Sequence, residues 1–321
     1  MTKKKLGRTG LNITQLGFGS MELRGPTIWN GREVSDAQAE AVLNAVLDAG
    51  INFIDTSPDY GLAEQRIGKF ISGRRKEYFL ATKCGCDPHE VNGKWETPHT
   101  WTRDRLMRNI DESLRAMKTD HVDILQLHNP RGDDVDMDLL VATLKDIQAK
   151  GLTRFIGVSH TNPFLDGLIA MGVFDTFQIP YSCLEAEHFE ALSKAAASGA
   201  GVIVRGGIAK GGPQSDVAIQ KRKDLWTTAK LSDVAGGDNP PAKLILRHTP
   251  TEPGASRHAP LALRPAELIL RHTLSHPACH TTIVGTLNVA HLKDNIAAAD
   301  KGTLPKDLYE EVRRRVAAAK A

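Results

Sequence analysis

Ile51-Asn52-Phe53-Ile54-Asp55-Thr56-Ser57-Pro58-Asp59-Tyr60-Gly61 begins as a β-strand and ends as a polar turn. Two later segments have the same form. Tyr78-Phe79-Leu80-Ala81-Thr82-Lys83 closes on a lysine, and Val122-Asp123-Ile124-Leu125-Gln126-Leu127-His128 closes on a histidine. Short apolar runs bounded by turn residues are the pattern of buried strands. Asp55, Tyr60, Lys83 and His128 are thus each delivered at or just past the C-terminal end of a strand. That is where a parallel α/β barrel keeps its chemistry.

The alternation continues outward from these three units. Strands are expected at residues 15–19, 154–159, 176–179, 202–205 and 281–284, and helices at 35–49, 63–72, 103–117, 138–150, 165–171, 185–198 and 290–299. Ser35 is placed to cap the first helix and Gly50 to end it. Eight strands alternating with helices, with no second run of strands, give a parallel sheet covered by helices. Closure into one (β/α)8 barrel over residues 1–321 is the economical reading. An open doubly wound sheet is the alternative, but no GxGxxG follows an early strand. A hairpin turning at Arg8-Thr9-Gly10 should precede the first barrel strand, and an extra helix at 306–320 should follow the last.

One region breaks the rhythm. Ala242-Lys243-Leu244-Ile245-Leu246-Arg247-His248-Thr249 recurs as Ala266-Glu267-Leu268-Ile269-Leu270-Arg271-His272-Thr273. One period repeated once is not a solenoid. The insert at about 232–264, between the seventh strand and the seventh helix, reads as a tandem duplication carried as a loop.

The 41 basic and 38 acidic residues nearly cancel, to a net charge of +3, and leave no footprint for nucleic acid or an anionic membrane. No apolar run approaches the ~20 residues of a membrane span. Lys3-Lys4-Lys5 is followed by no apolar stretch of a signal peptide. Cys84, Cys86, Cys183 and Cys279 form no CxxC pair or disulfide framework, which fits a reduced, cytoplasmic setting. A metal-dependent barrel hydrolase would need ligands such as His-x-His on the first strand; Leu16-Gly17-Phe18-Gly19 offers none, and no metal is expected. His272, His276 and His280 read as surface residues of the seventh helix and its exit.

The segment Phe53-Ile54-Asp55-Thr56-Ser57-Pro58-Asp59-Tyr60-Gly61 resembles the aldo-keto reductase signature around a catalytic Asp and Tyr. Ala81-Thr82-Lys83 and Leu125-Gln126-Leu127-His128 are similar to that family's Lys and His segments, in the same order, and the resemblance runs from about Leu6 to the last helix. It implies a TIM barrel plugged at the bottom by the hairpin, and hydride transfer between a nicotinamide cofactor and an aldehyde or ketone. Tyr60 would be the general acid. A free tyrosine has a pKa of about 10. Lys83 beside it should favour the phenolate and lower that value, Asp55 should hold Lys83, and His128 should orient the carbonyl.

The resemblance also implies the cofactor contacts. Ser159, His160 and Gln178 match positions that hold the nicotinamide, with His160 standing where the family usually has Asn. Arg205 stands where many members stack a Tyr; a guanidinium can also lie flat on a ring. Gly206, Gly207 and Ile208 continue that segment, and glycines let backbone N–H groups approach pyrophosphate. Gly285, Thr286 and Asn288 lead from the eighth strand into a helix N-terminus, an anion site on physical grounds. His291, Asp294 and Asn295 follow on that helix, the last two where the family contacts adenine. Several relatives carry cations at the positions of Gly285, Asn288 and His291, so NADPH is expected on family habit, with NADH possible. Met21, Leu23, Trp29, Trp95 and Trp101, with Trp226 in the insert, are candidates for an apolar substrate wall. The partner is then a small-molecule carbonyl or alcohol, and the chain a monomer or weak homo-oligomer. Two other functions compete: a nucleotide-binding sensor subunit with slow turnover, and an NAD-linked sugar or alcohol dehydrogenase running in reverse.

Overall fold

The computed structural model describes residues 1–132, 135–209, 220–235 and 263–320. Its centre is a closed barrel of eight parallel strands: β3 (Leu16–Gly19), β4 (Phe53–Asp55), β5 (Phe79–Cys84), β8 (Val122–His128), β9 (Thr153–Ser159), β10 (Thr176–Pro180), β11 (Gly201–Arg205) and β12 (Thr281–Val284). Each pairs with its sequential neighbour, and β12 closes on β3 through Thr282 opposite Leu16 and Val284 opposite Phe18. Such closure leaves no sheet edge. The strands run as continuous apolar segments because both faces are covered, by helices outside and by side chains within.

The bottom is closed by the expected hairpin. β1 (Lys3–Lys5) pairs antiparallel with β2 (Asn12–Thr14) around a short 3-10 turn at Gly7–Thr9. Leu6, Leu11 and Ile13 pack against Phe53, Ala81, Ile124 and Ile203 of the barrel strands. Gly7 is required here: its φ is +47°, and a Cβ would stand 2.3 Å from the backbone nitrogen of Gly201.

The helices form where apolar stripes and caps coincide. In α1 (Asp36–Asp48) the Ser35 hydroxyl accepts the Gln38 N–H at 3.1 Å, and Ala39, Val42, Leu43 and Val46 are buried. Helix α2 (Ala63–Phe70) follows β4 and is extended by a 3-10 segment at Ser72–Glu77. Thr102 caps α3 (Arg103–Met117), and Asp136 caps α4 (Met137–Ala149). Then come α5 (Leu165–Ala170), α6 (Phe189–Ala197), α7 (Gln220–Thr228), α8 (Leu231–Ala235), α9 (Pro265–Leu274), α10 (Val289–Asp300) and α11 (Lys306–Lys320), the extra C-terminal helix.

The structure departs from the sequence reading in several places. The loop after β5 contains a small hairpin, β6 (His89–Val91) with β7 (Lys94–Glu96), both exposed. Helix α6 starts at Phe189, because Ser182 and Glu185 are held in an isolated bridge before it. Helices α7 and α8 stand between β11 and α9, and α8 overlaps the start of what read as insert. Trp226 is not a pocket residue; it is buried with Leu225, Leu231, Leu308 and Val312 between these helices and α11. The first copy of the repeat lies outside the described residues, and the second is α9. His272 and His276 are not on the surface: both are buried, beside Tyr181, Phe189 and Tyr309. His280 is partly exposed and accepts the Val202 N–H.

Candidate active site

Neighbouring parallel strands bring the three strand-end residues to one mouth. Lys83 Nζ donates to Asp55 Oδ2 at 2.7 Å and to the Thr56 carbonyl at 2.8 Å. The pair is completely buried, with Lys83 at 0% exposure and Asp55 at 1%. The other carboxylate oxygen of Asp55 accepts from Gln126 at 3.1 Å and from Gln178 at 2.7 Å. A buried ion pair holds only when its remaining lone pairs are met, and here the two glutamines meet them. Burial opposes the charge on Lys83, but Asp55, Tyr60 and Cys86 together outweigh it and keep the ammonium above its ordinary range.

Tyr60 sits over this pair, with Lys83 Nζ 5.1 Å from the ring centroid. The expected fall in the tyrosine pKa is not seen. Burial raises it above the usual phenol range, and Lys83 offsets that only in part. The group is therefore a fully protonated phenol near neutrality, the state an acid must start from. His128 stands edge-on to Tyr60, ring centroids 6.4 Å apart. Burial brings its imidazole down to about 4, against the opposing hydrogen bond to Asp59, so it is neutral at pH 7.

Behind His128 lies a polar group that the sequence reading did not contain. Asp59 Oδ2 is 2.9 Å from His128 Nδ1 and 3.0 Å from His99 Nε2. Cys86 Sγ is 3.3 Å from the same Nδ1. Asp59 was visible in the signature loop, one residue before Tyr60; His99 folds back from the loop after β5, and no local pattern marks it. Glu64, on α2, accepts from Thr82 at 2.5 Å and Ser113 at 3.0 Å. Burial lifts its carboxyl to about 7. Cys84 is buried and contacts the Gln126 carbonyl, an inert position.

The expected cofactor residues form two groups. Ser159 donates to Gln178 at 3.1 Å, and Gln178 in turn reaches Asp55, so this part of the site is joined to the Asp55–Lys83 pair. His160 is differently used. It is wholly buried, with Nε2 bound to the Pro130 carbonyl at 2.8 Å and Nδ1 accepting the Thr161 N–H at 2.7 Å, so neither nitrogen is left for a ligand. Arg205 ends β11, and its Nε is buried without a hydrogen-bond partner among the described residues. A half-buried guanidinium with an unmet donor suits a flat polar ring laid against it. Gly206, with φ at +71°, Gly207 and Ile208 carry the chain away from Arg205.

The second group surrounds the start of α10. Thr286 Oγ1 accepts the Asn288 N–H at 3.1 Å, and Asn288 caps the helix by accepting from Ala290 N at 2.8 Å. Gly285, Asn288 and His291 are exposed along one side, and Asn295 is buried. Asp294 is engaged by Arg264 at 2.8 Å. These residues fit an anionic nucleotide arm: a helix N-terminus, exposed backbone and one nearby guanidinium.

The candidate wall residues separate. Trp29 leans edge-on against Tyr60 at 6.0 Å and is tied to Thr97 by its indole N–H. Trp101 stacks on His99 at 5.6 Å. A cleft of about 340 Å³ is lined by His99, Trp101, Asn129 and Arg131. Met21 is half-buried in the turn after β3. Leu23 is wholly buried in the main core and takes no part in a wall, and Trp95 lies exposed on the β6–β7 hairpin.

The profile of the Aldo/keto reductase family matches residues 15–316. The chain is 34% identical over 172 residues to L-galactose dehydrogenase of Arabidopsis thaliana, across 50% of this chain and 49% of that protein. It is 30% identical over 200 residues to aldo-keto reductase YhdN of Bacillus subtilis, across 60% and 57%. These matches span about half the length of the curated relatives. Among solved structures, aldo-keto reductase AKR11C1 from Bacillus halodurans in its holo form superposes with a TM-score of 0.79 at 24% identity, covering 98% of this chain and 96% of that one; that likeness is one of fold. With the profile spanning nearly all of the barrel, the chain belongs to the Aldo/keto reductase family.

Proposed function

We propose that this chain reduces aldehydes or ketones with hydride from NADPH, with Tyr60 as the proton donor. The observation that carries the proposal is the wholly buried Lys83–Asp55 pair beneath a protonated Tyr60. Hydride addition to a carbonyl carbon leaves negative charge on oxygen, and the cofactor supplies that hydride when bound. Tyr60 gives its phenol proton to the developing alkoxide. Lys83 stabilises the phenolate left behind, in a site where burial strengthens the interaction. Asp55 keeps Lys83 charged and aimed. His128, neutral, donates to the same carbonyl oxygen and fixes its direction. Trp29 and Trp101 form walls on either side of these groups. Arg205, Ser159 and Gln178 hold the nicotinamide end, and the β12–α10 turn with Thr286, Asn288 and His291 holds the phosphates. Four unpaired, buried cysteines suit a reducing compartment, and we assign the chain to the cytoplasm. No described helix is long and apolar enough to cross a membrane.

A second reading, oxidation of a sugar with NAD, is favoured by two observations. Relatives include L-galactose dehydrogenase and the D-threo-aldose 1-dehydrogenase of a Pseudomonas species. The guanidinium near α10, Arg264, is already engaged by Asp294, which weakens its use for a 2′-phosphate. Parallel fluorescence titration with NADPH and NADH, followed by an aromatic aldehyde, separates the two. NADPH tighter by about tenfold, which is about 1.4 kcal/mol, with oxidation on adding aldehyde, is the expected result. Tighter NADH with turnover only on aldoses moves the assignment to the dehydrogenase. Tight binding with no turnover on either class overturns both.

A further inference from the structure

Around His128 Nδ1 there are more polar atoms than hydrogen bonding can use. Asp59 Oδ2 lies 2.9 Å away, Cys86 Sγ 3.3 Å, His99 Nε2 3.4 Å and Ser57 Oγ 3.4 Å. An imidazole nitrogen carries one proton or one lone pair, and so answers one of these. Asp59 Oδ1 is buried with no partner among the described residues. The ligating atoms of Asp59, Cys86, His99 and His128 all lie within 4.8 Å of one another.

We propose that Asp59, Cys86, His99 and His128 form a closed tetrahedral site for a divalent transition metal of the Zn²⁺ type, which holds His128 by Nδ1. Zinc bonds are about 2.3 Å to sulfur and about 2.0–2.2 Å to nitrogen and oxygen. A tetrahedron with those bonds has edges of about 3.3–3.6 Å. Of the three edges that carry no carboxylate, His99 to His128 at 3.4 Å and Cys86 to His128 at 3.3 Å already have that length, and Cys86 to His99 lies within 4.8 Å. Of the three carboxylate edges, those to His128 and His99, at 2.9 and 3.0 Å, need to open by only a few tenths of an ångström, and that to Cys86 lies within 4.8 Å. A thiolate with two imidazoles selects zinc-like ions over Mg²⁺ or Ca²⁺, which take oxygen ligands.

The backbone fixes these donors without a metal. Cys86 and His99 are paired by an isolated antiparallel bridge. Asn109 accepts the Gly85 N–H and donates to the Cys86 carbonyl, which Arg105 also contacts at 2.6 Å. His128 is fixed by the end of β8, and Asp59 by the turn that presents Tyr60. His99 is the partly exposed member, at 26% for its side chain, and gives an ion a way in.

Coordination releases the Cys86 thiol proton to solvent. Cys86 thiolate and Asp59 carboxylate then balance the 2+ charge. The imidazoles bind neutral, through His128 Nδ1 and His99 Nε2, so the His128 ring proton must sit on Nε2. That nitrogen has no hydrogen-bond partner among the described residues, and it is the one left to donate to substrate. In the metal-free network, by contrast, a neutral His128 that donates Nδ1–H to Asp59 has no proton on Nε2. The metal therefore fixes a tautomer, and Asp59, Cys86 and His99 act as positioning residues. This consequence rests on the carbonyl-reductase reading; the metal site does not.

The test begins with chelator-treated full-length protein, titrated with Co²⁺ and then Zn²⁺ without cofactor or substrate. One Co²⁺ per chain is expected, with the intense visible bands of a tetrahedral ion and a thiolate charge-transfer band, both displaced by Zn²⁺. Cys86→Ser should remove the charge-transfer band. His99→Asn should weaken Zn²⁺ by at least about 100-fold, more than the ~10–100-fold that loss of an outer partner of a ligand costs. Zinc-loaded protein should show the His128 Nε2–H tautomer by ¹⁵N NMR. His99→Asn should lower kcat on an aldehyde by about 10–100-fold with cofactor affinity unchanged. No stoichiometric Co²⁺ uptake, a six-coordinate spectrum, or a charge-transfer band that survives Cys86→Ser overturns the site. Stoichiometric uptake without turnover on any carbonyl or sugar supports the site and overturns the reductase reading instead.

Discussion

Replacing Glu64 with glutamine isolates the cost of a single carboxyl buried near Lys83 and Asp59. Glu64 is 6% exposed and accepts from Thr82 and Ser113. Glutamine keeps both contacts, accepting from Thr82 and donating to Ser113, and removes only the ionisation. Burial raises the folded-state carboxyl to about 7 from an ordinary 4.5, while the two hydroxyls and Lys83 pull the other way. A raised folded-state value means that this group's contribution is fully present below the unfolded pKa. It is lost as pH rises through the folded one. Between pH 5 and pH 8 the wild type should therefore lose about 2–3 kcal/mol relative to Glu64→Gln. Urea unfolding of both proteins at half-unit steps measures the difference directly, because every other titrating group is shared. The two curves should diverge upward from about pH 5 and run parallel above about pH 7.5. A constant difference across the whole range would refute the burial argument and mean that Glu64 is solvated or paired in solution.

Tyr60→Phe should abolish aldehyde reduction and leave nicotinamide affinity within about twofold, since a transition-state proton donor adds little to ground-state binding; stopped-flow turnover beside fluorescence titration checks this. Lys83→Met leaves the Asp55 carboxylate buried without its cation and should cost about 3–5 kcal/mol in urea unfolding, with partial recovery on adding Asp55→Asn. His272 and His276 should make the fold acid-sensitive. Burial depresses them to about 3 and about 4, so their contribution is present above about pH 6.5 and is lost as pH falls. His272→Phe, packed between Tyr181 and Tyr309, should retain about 3 kcal/mol more stability than wild type at pH 4 relative to pH 7.

The barrel was legible because its strands are buried on both faces and read as continuous apolar runs that end in polar residues. Asp55, Lys83 and His128 could be placed from that rule alone. The same rule reaches Gln126, which shares the inward face of β8 with His128, two residues away. What escaped were contacts made by loops. His99 and Trp101 are set by hydrogen bonds across the segment after β5, and none of those has a sequence period. The histidines of α9 were misread because α9 is buried on nearly all sides: it packs against α8 and α10, and His272 meets Tyr309 of α11, so polarity there did not mean exposure. His160 was misread for a related reason. Its position matched a cofactor contact, but a carbonyl from the loop after β8 claims its nitrogen.

Asp55 belongs to β4, takes hydrogen bonds from β5 through Lys83, from β8 through Gln126, and from β10 through Gln178. One carboxylate thus cross-links four of the eight staves. A descendant of this chain that gave up turnover would still need that knot to hold its shape, so selection for folding alone would preserve two of the residues that look catalytic, Asp55 and Lys83. Tyr60 and His128 carry no such obligation. Drift at those two positions, with Asp55, Lys83 and Gln178 unchanged, would be the signature of a barrel that has kept its architecture and abandoned its trade.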